Sequence, residues 1–195
     1  MLVTNVSEMD RAQRTRRRLQ DEAVRLFTAR GYDHVTVEEI AHAAGVSHMT
    51  FFRHFPTKVS VLLDDPYDPI IGKMVAATDP ALPPIERIRQ GLVAATAHVD
   101  EADDAITKDR IRILVDNDLV AHAWGNNQAT EQVIVDALTA TGVPHLDARI
   151  AAGAFSGALM AALTDWAEHD DSGPLAARVR LAVDTLASQG VAPDA

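Results

Sequence analysis

Apolar residues along this chain recur at helical spacing. Leu19, Ala23, Leu26 and Phe27 fall at i, i+4, i+7 and i+8, one stripe on a helix expected from about Arg14 to Arg30. Gly31 follows, where a left-handed C-cap is wanted. Thr36-Val37-Glu38-Glu39 has the T-x-x-E form of a capping box and opens a second helix. Gly45 interrupts that helix, and Ser47 offers a new N-cap. A third short helix then runs to about His54, and Pro56 ends it. Thr57 is placed to cap a fourth helix reaching about Ala77. The stretch Thr78–Pro84 is a break. Helical segments follow at roughly 83–99, 102–116, 119–140, 145–169 and 174–189. No window shows sustained period-two alternation, so the pattern predicts an all-α fold of about nine helices. Residues 1–12 carry no periodicity and are expected to form a flexible tail. Residues 13–60 read as a small three-helix domain, and 61–195 as a larger helical body.

Composition agrees with helix. Of 195 residues, 47% are hydrophobic and only 5% aromatic. There is no cysteine, which excludes disulfides and Cys-ligated zinc. The N-terminus lacks the apolar core of a signal peptide. The longest uncharged apolar stretch, Ile150–Thr164, is 15 residues, short of the ~20 that a membrane span needs. These features lead us to expect a cytoplasmic protein with no membrane partner. The net charge of −10 is unevenly spread. Residues 1–60 hold nine Lys/Arg and seven Asp/Glu, a net of +2, and the remainder hold nine and 21, a net of −12. A weakly basic front on an acidic body fits a small DNA reader joined to a part that does not touch DNA. It fits two ordinary solvated surfaces equally well.

Residues 36–55 decide between them. Two short helices crossing steeply need a small residue where they meet, and Ala41 supplies it. The turn needs a residue that tolerates positive φ, and Gly45 supplies it. Ile40, Val46 and Phe51 are the apolar positions that lock the pair, with Leu26 and Phe27 closing the small core. This spacing is the sequence form of a helix-turn-helix. Its second helix, opened by Ser47, enters a major groove N-terminus first, and His48, Met49 and Thr50 are the candidates for base contact. Lys58 is placed to hold phosphate. Arg14, Arg16, Arg17 and Arg18 give helix one a basic start that can do the same.

On these residues the chain resembles TetR/AcrR-type regulators over about 14–63. The matching features are LF-x3-GY at the end of helix one, Thr36 opening helix two, AGVS in the turn, TFF-x-x-F in the reader and PTK after it. The resemblance implies a homodimer whose two reader helices occupy successive major grooves of a palindromic, double-stranded operator, most often as a repressor. It implies Thr36 and Val37 at the start of helix two, Ser47 to Thr50 on base edges or nearby phosphate, and Lys58 on phosphate. Phe52 departs from the family's usual tyrosine and has no hydroxyl for phosphate. Arg53 or His54 is left to make that polar contact.

The rest of the chain offers less specific chemistry. The eight histidines show no metal-ligand spacing, so neither a metal nor a cofactor is implied. Gly153-Ala154-Phe155-Ser156-Gly157 lacks the central serine of a hydrolase elbow. Gly153, Gly157 and Ala161 recur every four residues as a small-residue helix face. The last helix carries a stripe of Leu175, Val179, Ala182, Val183 and Leu186. Both faces are candidates for a four-helix dimer seam, or for packing within one subunit. The resemblance also implies a small-molecule effector inside the helical body, with the fourth helix as the hinge. Candidate pocket residues are Trp124, Phe155, Met160 and Trp166, with Arg112 as an anionic anchor. The low aromatic content points to an apolar ligand. Two other classes stay open. One is a helical regulator acting through a protein partner without DNA. The other is an all-helical enzyme, for which no catalytic constellation appears.

Overall fold

A computed structural model describes residues 2–65, 67–97, 99, 101–117, 119, 128–169 and 173–189. The side chains of 2–10, 101, 102, 128 and 189 are outside the description. The described residues form ten helices and no strand. They are α1 (Leu2–Arg30), α2 (Val37–Ala43), α3 (His48–His54), α4 (Ser60–Leu63), α5 (Asp68–Ala76), α6 (Pro84–Thr96), α7 (Glu101–Asp116), α8 (Gln128–Thr139), α9 (His145–Glu168) and α10 (Leu175–Gln189).

Two helices differ from the sequence pattern. α1 begins at Leu2, so the segment expected as a tail is helical; residues 2–30 contain no proline or glycine to stop it. The single helix expected from Thr57 to Ala77 is instead α4 and α5. Asp64 turns extended after α4 (φ −68, ψ 127). Pro66 follows in sequence and disfavours a helical Asp65. The Asp65 carboxylate accepts from the Tyr67 N–H at 2.9 Å, which starts the next helix afresh.

The chain divides into two units, 1–64 with 113–123 and 65–112 with 124–195. In the first, α1 packs on α2 and α4, and α2 on α3. Leu19, Ala23, Val24, Phe27, Val35, Ile40, Phe51 and Phe55 make its core. In the second, α5 packs on α6 and α8, and α9 on α6, α8 and α10. Gly91 allows α6 to cross α5 closely, because a Cβ there would lie 2.7 Å from the Val75 backbone nitrogen.

Arg87 joins three of these helices. Its side chain is fully buried, and no carboxylate meets it among the described residues. Nε donates to Thr78 Oγ1 at 2.9 Å, and one terminal nitrogen donates to Thr141 Oγ1 at 2.7 Å. The other reaches the Val75 carbonyl at 3.5 Å. Thr78 Oγ1 in turn donates to Val75 O at 2.6 Å, and Thr141 Oγ1 to Leu138 O at 2.8 Å. These carbonyls belong to the last turns of α5 and α8. The guanidinium charge is thus matched to the negative ends of two helices.

α7 closes the turn between α9 and α10, and this reassigns two candidate pocket residues. Arg112 Nε donates to Ala167 O at 2.7 Å, and Lys108 Nζ to His169 O at 2.7 Å, both at the end of α9. Asp104 accepts from the Leu175 N–H at 2.9 Å, at the start of α10. Cations therefore meet a helix C-terminus and an anion meets an N-terminus. Trp166 is buried, and its indole N–H donates to Gly173 O at 2.8 Å. Arg112 and Trp166 thus tie the α9–α10 connection together. Phe155 is buried core, Met160 is half-buried, and Trp124 lies outside the described residues.

The last two helices correct a second expectation. Leu175, Val179, Ala182 and Val183 are buried within the subunit, where α10 packs on α6 and α9, and Leu186 is half-buried. α10 has one strong apolar stripe, and its own neighbours cover it. Its outward side carries Ala177, Arg180, Leu181 and Asp184. On α9 the small-residue face does look outward. Gly153 and Gly157 are half-buried and Ala161 is exposed, while Leu146 and Ile150 beside them are 67% and 62% exposed. At 24 residues, α9 is long and apolar enough by length and hydropathy to cross a membrane, which the 15-residue stretch had not indicated. Its apolar content has another use here, since Ala148, Ala151, Ala152 and Phe155 fill the core of the second unit.

Candidate nucleic-acid interface

The helix-turn-helix is built by contacts three to five residues long. Thr36 caps α2: its hydroxyl accepts from the Glu39 N–H at 3.2 Å, and its own N–H donates to Glu39 Oε2 at 2.8 Å. Gly45 takes φ +66 in the turn, and the Val46 N–H closes onto Ala41 O at 2.9 Å. Ala41 is 1% exposed where the helices meet. Ser47 caps α3, with its Oγ accepting from the Thr50 N–H at 3.2 Å. Ile40 and Phe51 lock the pair as expected, whereas Val46 and Leu26 are only half-buried.

Because Phe51 and Phe55 face inward, the rest of α3 faces out. Ser47, His48, Met49, Phe52 and Arg53 are exposed. Met49 is 67% exposed, far beyond what an apolar side chain gains by packing on its own subunit. The Phe52 ring meets His48 edge-on at 5.8 Å, which holds an aromatic face outward where a tyrosine is usual. Thr50 is half-buried. Its Oγ1 lies 2.9 Å from Ser47 Oγ and accepts from Arg53 at 3.2 Å. The polar atoms at the start of α3 therefore form one connected chain. Thr36 is exposed and Val37 half-buried at the start of α2. His54 is half-buried and its pKa is lowered, first by burial and then by Arg16 and Arg53.

Two basic residues expected on phosphate are held inside the fold. Lys58 Nζ donates to the carbonyls of Tyr32 at 2.8 Å and Val35 at 3.2 Å, and it lies 4.0 Å from the Tyr32 ring centroid. Those carbonyls sit in the loop between α1 and α2, outside any helix, and the ammonium satisfies them. Arg16 pairs with Asp64, donates to His54 O at 2.8 Å and lies 4.5 Å over the Phe55 ring. Gln20, one turn on, donates to Asp64 O at 2.9 Å. Together Arg16 and Gln20 clamp the ends of α3 and α4 to α1. The sequence reading missed this clamp. Its only trace there is two polar residues at i and i+4 beside the apolar stripe. Arg17 and Arg18 are exposed.

The Glu39 carboxyl is held below its ordinary value, mainly by the Thr36 backbone N–H and then by Arg30, whose side chain lies 2.7 Å away. A depressed carboxylate adds stability above its unfolded value and loses it as pH falls through the folded one. Glu39→Gln keeps an acceptor for the capping box but cannot titrate. Its melting temperature should fall less steeply than that of the parent as pH drops below the ordinary value of 4.5. Parallel curves for the two proteins would contradict this role.

Comparison with known proteins agrees with this geometry. Residues 19–64 match the family "Bacterial regulatory proteins, tetR family". Residues 82–190, more than half of the chain, match the family "MftR C-terminal domain". The chain belongs to the TetR family. The HTH-type transcriptional regulator TcmR of Streptomyces glaucescens is 55% identical to this TetR-family chain over 51 residues, 26% of this chain and 23% of TcmR. The match thus spans about a quarter of that relative's length. Thermus thermophilus FadR, a TetR-family repressor solved with lauroyl-CoA, aligns with a TM-score of 0.52 and 23% identity, over 92% of this chain and 97% of FadR. The complex of SmeT, from Stenotrophomonas maltophilia, with triclosan aligns with a TM-score of 0.57 and 19% identity, over 93% and 98%. At these identities the two structures share the fold with this TetR-family chain.

Proposed function

We propose that this protein is a ligand-responsive repressor that binds a palindromic operator as a homodimer. The observation that carries this reading is α3 itself, a capped helix with an exposed polar N-terminus and a bare Met49 beside it. In a major groove, Ser47, His48, Met49 and Thr50 meet base edges or the nearest phosphates, while Phe52, Arg53 and His54 lie along the backbone. Thr36 and Val37 approach phosphate at the start of α2. Lys58 supports this surface indirectly by fixing the α1–α2 loop.

The dimer seam is assigned to the outward side of α9 and α10: Leu146, Ile150, Gly153, Gly157, Ala161 and Leu181. A second copy of the chain removes these apolar side chains from water. Two readers about 34–36 Å apart then fit successive major grooves. An effector represses or releases binding only through different affinities for two reader spacings. The lauroyl-CoA of FadR and the triclosan of SmeT support an apolar effector within the helical body. Acting on DNA puts the protein in the cytoplasm.

The test is operator selection from random DNA followed by titration with Met49→Ala. We expect a twofold-symmetric site and a loss of about 1–3 kcal/mol at one base position in each half-site. Absence of any selected DNA at low salt would defeat the reading.

A further inference from the structure

The inward face of α9 is closed at both ends and open in the middle. At 3.6 residues per turn, Ala148, Ala152, Ser156, Leu159, Leu163 and Trp166 lie within about 80° of one another around the helix. Ala148, Ala152, Ser156 and Trp166 are buried, yet Leu159 and Leu163 between them are only half-buried. A leucine at the centre of a packed face is ordinarily covered. The helices packed on α9, which are α6, α8 and α10, therefore leave about one turn of it partly uncovered. This opening is separate from the proposed seam, because Gly153, Gly157 and Ala161 lie on another side of α9. Ser156 borders the opening. It is 2% exposed, and its hydroxyl is the one buried side-chain group without a hydrogen-bond partner among the described residues. A helical serine can return its hydroxyl to the carbonyl four residues back, here that of Ala152, but Ser156 does not. An unbonded buried hydroxyl carries its full desolvation penalty, which alanine, a better helix former, would avoid.

We infer that Ser156 holds the polar group of the effector, and that this group is an uncharged oxygen, as in an alcohol, ketone or ester on an apolar skeleton, accepting from the Ser156 hydroxyl. The inference rests on the effector reading and names the chemistry that the reading left open. Leu159 and Leu163 offer apolar surface to the skeleton, and one placed polar group beside such surface fixes a ligand's orientation. The charges around α9 argue for a neutral oxygen. No charged residue lies on α9 between Arg149 and Asp165. α8 carries no Lys or Arg. Arg87 of α6 is held by Thr78 and Thr141, and Arg89 of the same helix by Glu86 and Asp184. Arg178 of α10 pairs with Asp165, and Arg180 is exposed on the outward side. A carboxylate buried against Ser156 would thus find no free cation on the three helices packed there, at a cost far above that of a neutral oxygen.

The experiment is calorimetric titration of the full chain with decanol, methyl decanoate and decanoate at about pH 8, where a carboxylic acid is ionised. The parent is compared with Ser156→Ala, and the melting temperature of each is read without ligand. We expect the parent to bind decanol and methyl decanoate at least about tenfold more tightly than decanoate. Ser156→Ala should weaken decanol and methyl decanoate by about tenfold, the loss of one buried hydrogen bond, with its melting temperature unchanged or raised. Equal binding of decanoate by the parent would overturn the uncharged oxygen and leave the effector reading standing. Unchanged affinities in Ser156→Ala would overturn the anchor alone. A lower melting temperature in Ser156→Ala would do so too, since the hydroxyl would then be bonded within the fold. A parent that binds none of the three would overturn the apolar-effector reading and the anchor together.

Discussion

Arg87→Ala is expected to cost about 3–5 kcal/mol, through the cavity left by a long buried side chain and the loss of its hydrogen bonds. For a chain of this size that lowers the melting temperature by roughly 10 °C. The size of the effect follows from what the guanidinium joins. Its partners lie at the ends of α5 and α8, and Arg87 itself sits on α6. Removing it leaves two threonine hydroxyls without a donor and two helix C-termini without their cation. Arg87→Met separates packing from charge, because methionine fills much of the same volume. A loss of about 1–2 kcal/mol should remain in that variant. A methionine variant more stable than the parent would show that burying the charge costs more than its hydrogen bonds return.

If the proposed seam holds, Gly153→Leu is expected to separate the proposed dimer into monomers and to weaken its binding to the proposed operator by about a hundredfold or more, because two readers are then no longer linked. The substitution is informative because it should do little else. A Cβ at Gly153 meets nothing within 4 Å in the subunit, so the new side chain projects into open space. Leucine also favours helix over glycine by roughly 0.8–1 kcal/mol, so the monomer should not lose stability. Gly153→Ala serves as a control and should remain largely dimeric. Solution scattering reads the mass directly, and an unchanged mass for the leucine variant would reject the seam. The same measurement on Val183→Ala should show lower stability instead, since Val183 is 2% exposed inside the subunit.

The helix-turn-helix was legible in the sequence because short contacts make it. The Thr36–Glu39 box, the Gly45 turn and the Ser47 cap each close within three to five residues, so residue type and spacing specify them locally. The all-α class was legible for a similar reason, since apolar periodicity reports the helix directly. What a face packs against is different information. The α10 stripe was visible as a stripe, but only the tertiary structure decided that α6 and α9 of the same subunit cover it. Likewise Arg16, Lys58 and Arg87 were visible as cations. Their partners Asp64, Val35 and Thr141 lie 48, 23 and 54 residues away. Only the fold brings such distant groups together, and it thereby determines which arginines hold the protein together and which are left facing outward.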